Sequence, residues 1–151
     1  MKKLIGARVA FAALCATLLT LVGAGPAAAA PVYTTSFNFQ EVPYGYSNGY
    51  LYYYNRSVQV QGTAKSNTTG CVQARFNFYS GYPADLRNPV APQQTRTACG
   101  RGTGTSTDFN FTVDQNIQIS MVSIDLWENT SGSWSQASAT GYYWNCAVVS
   151  C

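Results

Sequence analysis

Asp125 and Glu128 are the closest-spaced acids outside the generic turn residues of this sequence. Paired carboxylates are the groups that hydrolyse glycosidic bonds. Their spacing works against that chemistry, because positions i and i+3 of a strand point to opposite faces. Glu41, Asp85, Asp108 and Asp114 are scattered and read, with the other two, as solvated charges or turn caps. The chain contains no histidine. That removes the Ser-His-Asp triad, the Cys-His pair and any His-based zinc site, along with the usual general base near neutral pH. The residues predict a non-enzymatic protein with no catalytic site, no metal and no cofactor.

What the chain has instead is recognition chemistry. The run from Tyr44 to Tyr54 holds Tyr44, Tyr46, Tyr50, Tyr52, Tyr53 and Tyr54. Tyrosine offers a large amphipathic contact area at low entropic cost and is enriched in interfaces. On a strand, Tyr50, Tyr52 and Tyr54 share one face, with Leu51 and Tyr53 on the other. One face packs on a core. The other is either an exposed contact strip or a second covered face. The candidate partner-binding residues are Tyr33, Phe37, Phe39, Tyr44, Tyr46, Tyr50, Tyr52 and Tyr54. Trp127, Trp134 and Trp144 could form a sugar platform, with Trp127 pointing opposite to Leu126 in its strand phase, but core packing is expected for at least two of the three.

The elements that position these residues are strands. Phe37-Asn38-Phe39 puts both rings on one face, and the same unit recurs at 76–78 and 109–111. This repetition reads as the generic pattern of half-buried strands. Tyr50 to Tyr54, then Val58 and Val60, give further strands. Cys71 to Tyr79 sets Val72, Ala74, Phe76 and Phe78 against a polar face that carries Cys71. Ile117 to Glu128 changes apolar phase midway, which predicts a bulge or bend near Ser120-Met121. Asn129 to Ser133 reads as a turn, and Trp134 to Cys151 as one or two last strands. Pro89 and Pro92 keep their segment out of any central strand. The glycines of 100–104 precede no helix, so they make no phosphate site. The pattern predicts an all-β fold, a small antiparallel β-sandwich.

Residues 1–30 have the signature of a signal peptide: Lys2, Lys3 and Arg8, an apolar run, then Ala27 to Ala30. Cleavage after Ala30 leaves residues 31–151 as one secreted domain, with no membrane anchor. The whole chain has nine Lys+Arg and six Asp+Glu. Removing Lys2, Lys3 and Arg8 leaves six basic residues against six acidic, which argues against a nucleic-acid partner. Cys71, Cys99, Cys146 and Cys151 read as two disulfides. Three pairings are possible, and the local ones, Cys71–Cys99 and Cys146–Cys151, are preferred. In the chain-entropy model they contribute roughly 3.5 and 2 kcal/mol.

Three functions fit. The first is protein–protein assembly through Pro31–Tyr54, in which deletion of residues 31–42 abolishes binding and spares the fold. Here the terminal segment is either a free strand able to join a partner's sheet or the first strand of the domain. The second is polysaccharide binding by outward Tyr and Trp. The third is protease or glycosidase inhibition by residues 83–96, between Cys71 and Cys99. The Ala-rich signal ending at Ala27 to Ala30, the domain size, the aromatic N-terminus from Tyr33 to Phe39 and the staples at Cys71, Cys99, Cys146 and Cys151 give the chain a family resemblance. It resembles the small secreted adaptor subunits of actinobacterial umbrella toxin particles. That resemblance implies a non-enzymatic bridge that joins a toxin polypeptide to lectin-bearing subunits, partly through its N-terminal segment.

Overall fold

A computed structural model describes residues 29–81, 87–101 and 105–151. The predicted signal peptide therefore lies outside the described residues, apart from Ala29 and Ala30. Among the described residues nine strands form in chain order: β1 (Tyr33–Glu41), β2 (Gly45–Tyr53), β3 (Ser57–Ser66), β4 (Cys71–Tyr79), β5 (Gln94–Cys99), β6 (Ser106–Asp114), β7 (Met121–Asn129), β8 (Ser135–Gln136) and β9 (Gly141–Trp144). They build two antiparallel sheets. One has the order β1-β2-β3-β6; the other runs β5-β4-β7, with β8 and β9 both paired to the far side of β7. The sheets pack face to face, and the expected all-β sandwich with two disulfides is the fold observed.

The alternation of the sequence explains the layers. Leu51, Tyr53, Val58, Val60 and Ala64 face inward from the first sheet. Val72, Ala74, Phe76 and Phe78 face them from the second. The three Phe-Asn-Phe units all turn their rings inward. Phe76 is the hub: its ring meets Phe37, Phe109 and Phe111 edge-on, with centroids 5.5–5.9 Å apart. Such T-shaped contacts suit the ring quadrupoles.

Side chains close both flanks. On one flank Arg96 of β5 lies 3.9 Å over the Phe111 ring of β6, and Thr107 Oγ1 donates to the Thr97 carbonyl. On the other, Tyr143 of β9 packs on Phe37 and Phe39, and the Tyr53 hydroxyl donates to the Tyr143 carbonyl at 2.6 Å. Burial raises the Tyr53 pKa above that of ordinary tyrosine. Gly141 leaves room for these rings: a Cβ at that position would force the Phe39 ring to shift from its packing on Tyr143.

The disulfides are Cys71–Cys99 and Cys146–Cys151, the preferred local pairings. Cys71 and Cys99 are direct cross-strand partners in β4 and β5. Cys71 thus stays on the polar face, as its phase predicted.

Two expectations about the fold are resolved. The phase change after Ile117 is met by a strand boundary before Met121 and not by a bulge or bend within one long strand. The strand begins at Met121, Ile117 is 49 % exposed, and buried Ile119 sits in the connector before it. Ser120 and Asn145 pin that connector: Ser120 N donates to the Tyr79 carbonyl, and Asn145 N to the Ser120 carbonyl. Of the two readings of segment 31–42, the first strand of the domain is the one observed, so the expectation that its deletion spares the fold is corrected. All nine residues of β1 are in register with β2, and Phe37 is 2 % exposed in the core.

Candidate recognition face

The register of the first sheet lines its outward residues into rows. One row reads Thr34, Tyr52, Gln59, Thr112, and the next Ser36, Tyr50, Gln61, Asn110. The third reads Asn38, Asn48, Thr63, Asp108, and the fourth Gln40, Tyr46, Lys65, Ser106. No aliphatic side chain appears among them. The strict alternation of β2 is the cause. With Leu51 and Tyr53 fully buried, Tyr50 and Tyr52 must point outward.

Tyr50 is 51 % exposed. Its ring and that of Tyr52 lie 6.1 Å apart, tilted by 33°. Tyr50 forms a ridge between two depressions. One, of about 610 Å³, extends over β3 to Asp108 and Asn110. The other, of about 300 Å³, lies towards Ser36 and Asn38 of β1. Between the strands Gly49 and Gly62 face each other. A Cβ on either would run into the backbone oxygen of the neighbouring strand, so only glycine permits this approach. Phe37 and Phe109, their partners in the same inward row, cover the gap from either side.

Part of the polar surface is already ordered. The Tyr54 hydroxyl donates to Gln59 Oε1, and Gln59 Nε2 donates to Asn110 Oδ1 at 2.8 Å. Thr63 Oγ1 donates to Asp108 Oδ1 at 2.7 Å. The amides of Asn48 and Gln61 have no protein partner among the described residues.

The structure divides the sequence-predicted residues. Tyr46, Tyr50 and Tyr52 lie on the outward face, and Tyr54 adjoins it at the β2–β3 turn. Tyr44 sits in the β1–β2 turn, half-buried, its carbonyl accepting from Asn67 N. Tyr33, Phe37 and Phe39 point inward and pack in or against the core. They serve the fold from beneath the face. Gln59, Gln61, Asp108 and Asn110 were not singled out from sequence; their strands meet β2 only through long-range pairing.

The tryptophans correct another expectation. None belongs to the core cluster. Trp127 stands on the outer face of the second sheet, where the Arg75 guanidinium lies 3.7 Å over its ring and 5.9 Å from Trp134. Cation–π stacking on Arg75 takes the place of core burial. It also covers a ring face that a sugar would need.

Asp125 and Glu128 do not form a carboxylate pair. Glu128 instead caps the 129–135 turn, accepting from Thr130 N, Thr130 Oγ1 and Ser135 Oγ at 2.6–2.8 Å. These bonds, that from Ser135 foremost, hold its pKa below the ordinary carboxylate value. A depressed folded pKa gives stability that is complete above the unfolded value and disappears as pH falls through the folded one. Glu128→Gln is therefore expected to flatten the acid limb of a melting-temperature profile below about pH 4. Superimposable acid limbs for the two proteins would refute this.

The inhibitor loop lies partly outside the described residues, at 83–86. Its staple is not at its base, because Cys71–Cys99 sits at the opposite end of the β4–β5 pairing from Phe76 and Gln94. Among the described residues no cluster of three or more His, Cys, Asp or Glu could hold a metal, and no helix is long and apolar enough to cross a membrane. Compared with known proteins, the chain matches no family model, no curated protein and no solved structure.

Proposed function

We propose that this protein is a secreted, non-enzymatic binding module that recognises its partner through the outer face of the β1-β2-β3-β6 sheet. The observation that carries this reading is the Tyr50–Tyr52 pair, two large rings held outward over a depression by a strand whose other face is locked in the core. Order before binding matters, since each flexible side chain immobilised at an interface costs about 0.5–1.5 kcal/mol. The Tyr54–Gln59–Asn110 chain and the Thr63–Asp108 bond are already made. Two disulfides suit an oxidising compartment, and the signal pattern of residues 1–30 supports export. A binding role of this kind, whether towards a secreted protein as in the adaptor that the resemblance implies or towards a polysaccharide, requires the same exposed face.

The test is capture of proteins and soluble polysaccharides from the producing culture's medium by tagged wild type and by the Tyr50→Ser/Tyr52→Ser variant. A partner held by the wild type and lost by the variant is the expected result. The two proteins should melt within a few degrees of each other, because both substitutions are on the surface. Equal recovery by both would place recognition elsewhere and overturn the reading.

A further inference from the structure

We infer that the ligand of this face is a neutral polysaccharide chain, an inference that rests on the recognition-face reading above. The composition of the surface is the first argument. The core of a protein–protein interface is more apolar than the surrounding surface. Here no outward position of the four strands is aliphatic. What the face offers besides tyrosine is amide and hydroxyl.

Hydrogen-bonding capacity is the second. The amides of Asn48 and Gln61 flank the larger depression with no partner among the described residues. Each has two N–H donors and one carbonyl acceptor on adjoining atoms. Neighbouring hydroxyls on a sugar ring, each able to donate and accept, match that arrangement. The hydroxyl groups of Tyr50 and Tyr52 add to it, while their rings match the apolar C–H faces of pyranoses.

Charge is the third. The outward positions of the four strands carry three charges, Lys65, Asp108 and Asp114, of which Asp108 already accepts from Thr63 and Asp114 lies at the end of the sheet opposite Ser57. Nothing on the face complements a polyanion or a polycation.

Geometry narrows the class. Rings tilted by 33° cannot both lie parallel to one flat surface. They fit consecutive sugar rings of a chain that turns as it passes from Tyr50 to Tyr52. A soluble, twisting chain is thus the ligand, and the surface of crystalline cellulose is not.

The experiment is native electrophoresis of the full protein through gels containing amylose, β-1,3-glucan or xylan, with sedimentation on microcrystalline cellulose alongside. Retardation by at least one soluble polymer and no co-sedimentation are expected. Tyr50→Ala should weaken the retardation at least tenfold and Gln61→Ala severalfold. Tyr142→Ala, an exposed residue paired to β7 in the other sheet, should leave it unchanged. Suppose no gel retards the protein, yet Tyr50→Ser/Tyr52→Ser still loses a protein partner from culture medium. The glycan inference then fails and the recognition face stands. Failure of both experiments removes the face as well. Retardation indifferent to Tyr50→Ala, or adsorption to crystalline cellulose, overturns the inference as stated.

Discussion

Deletion of residues 31–42 is expected to yield a chain that does not fold. β1 supplies nine residues paired to β2, and it covers the inner side of that sheet with Tyr33, Phe37 and Phe39. Truncating a buried phenylalanine alone costs about 3–5 kcal/mol. Removing Phe37 with its two half-buried neighbours and a whole rank of strand hydrogen bonds is comparable to the entire stability of a domain, about 5–15 kcal/mol. The Tyr143 ring would lose its packing on Phe37 and Phe39, so β9 would be affected too. Circular dichroism and a thermal melt of the truncated protein decide the matter. A cooperative transition within a few degrees of the parent would mean that β1 is an appendage after all. This outcome also governs how binding data are read, because loss of binding by the truncated chain would follow from loss of the fold.

Phe76→Ala is expected to cost about 3–5 kcal/mol, a fall in melting temperature on the order of 10–20 °C for a domain of this size. Phe76 is fully buried and touches rings from both edge strands of the opposite sheet: Phe37 of β1 and Phe109 and Phe111 of β6. No neighbour can move into the space without giving up its own contacts. Phe111→Ala makes the comparison sharper. That ring is half-buried and shared with Arg96, so its truncation should cost clearly less. Calorimetry of both variants tests the ranking, and equal losses would remove Phe76 from its place as hub.

Much of this architecture could be read from the chain before any coordinates. Cys71 to Tyr79 shows its inner and outer faces directly, because period-two alternation leaves one assignment that buries Val72, Ala74, Phe76 and Phe78 together. The local disulfides follow a similar logic of short separation. The 117–128 segment was harder. Ile117, Ile119 and Val122 are all apolar, and apolarity alone does not say which of them sits in a strand. The Ser120 and Asn145 hydrogen bonds hold the connector that precedes the strand's start at Met121, and they join residues far apart in sequence. The phase of β7 does place Trp127 opposite Leu126, on the outer face, but the expectation of core packing for at least two tryptophans fails, because the partner that covers Trp127, Arg75, comes from a neighbouring strand.

The candidate site divides along the same line. The sequence by itself determined that Tyr50 and Tyr52 share a face opposite Leu51 and Tyr53, because side-chain direction along a strand is local geometry. The lack of histidine and the wide spacing of the acids are likewise properties of the sequence alone. Only the tertiary structure decided that this face looks to solvent while Phe37 and Phe39 look inward. Only the tertiary structure set Gln61 and Asn110 in one row with Tyr50, opposed Gly49 to Gly62, and capped Trp127 with Arg75. Those relations depend on strand order and register, which are fixed when the two sheets bury their apolar faces against each other and no single segment can specify alone.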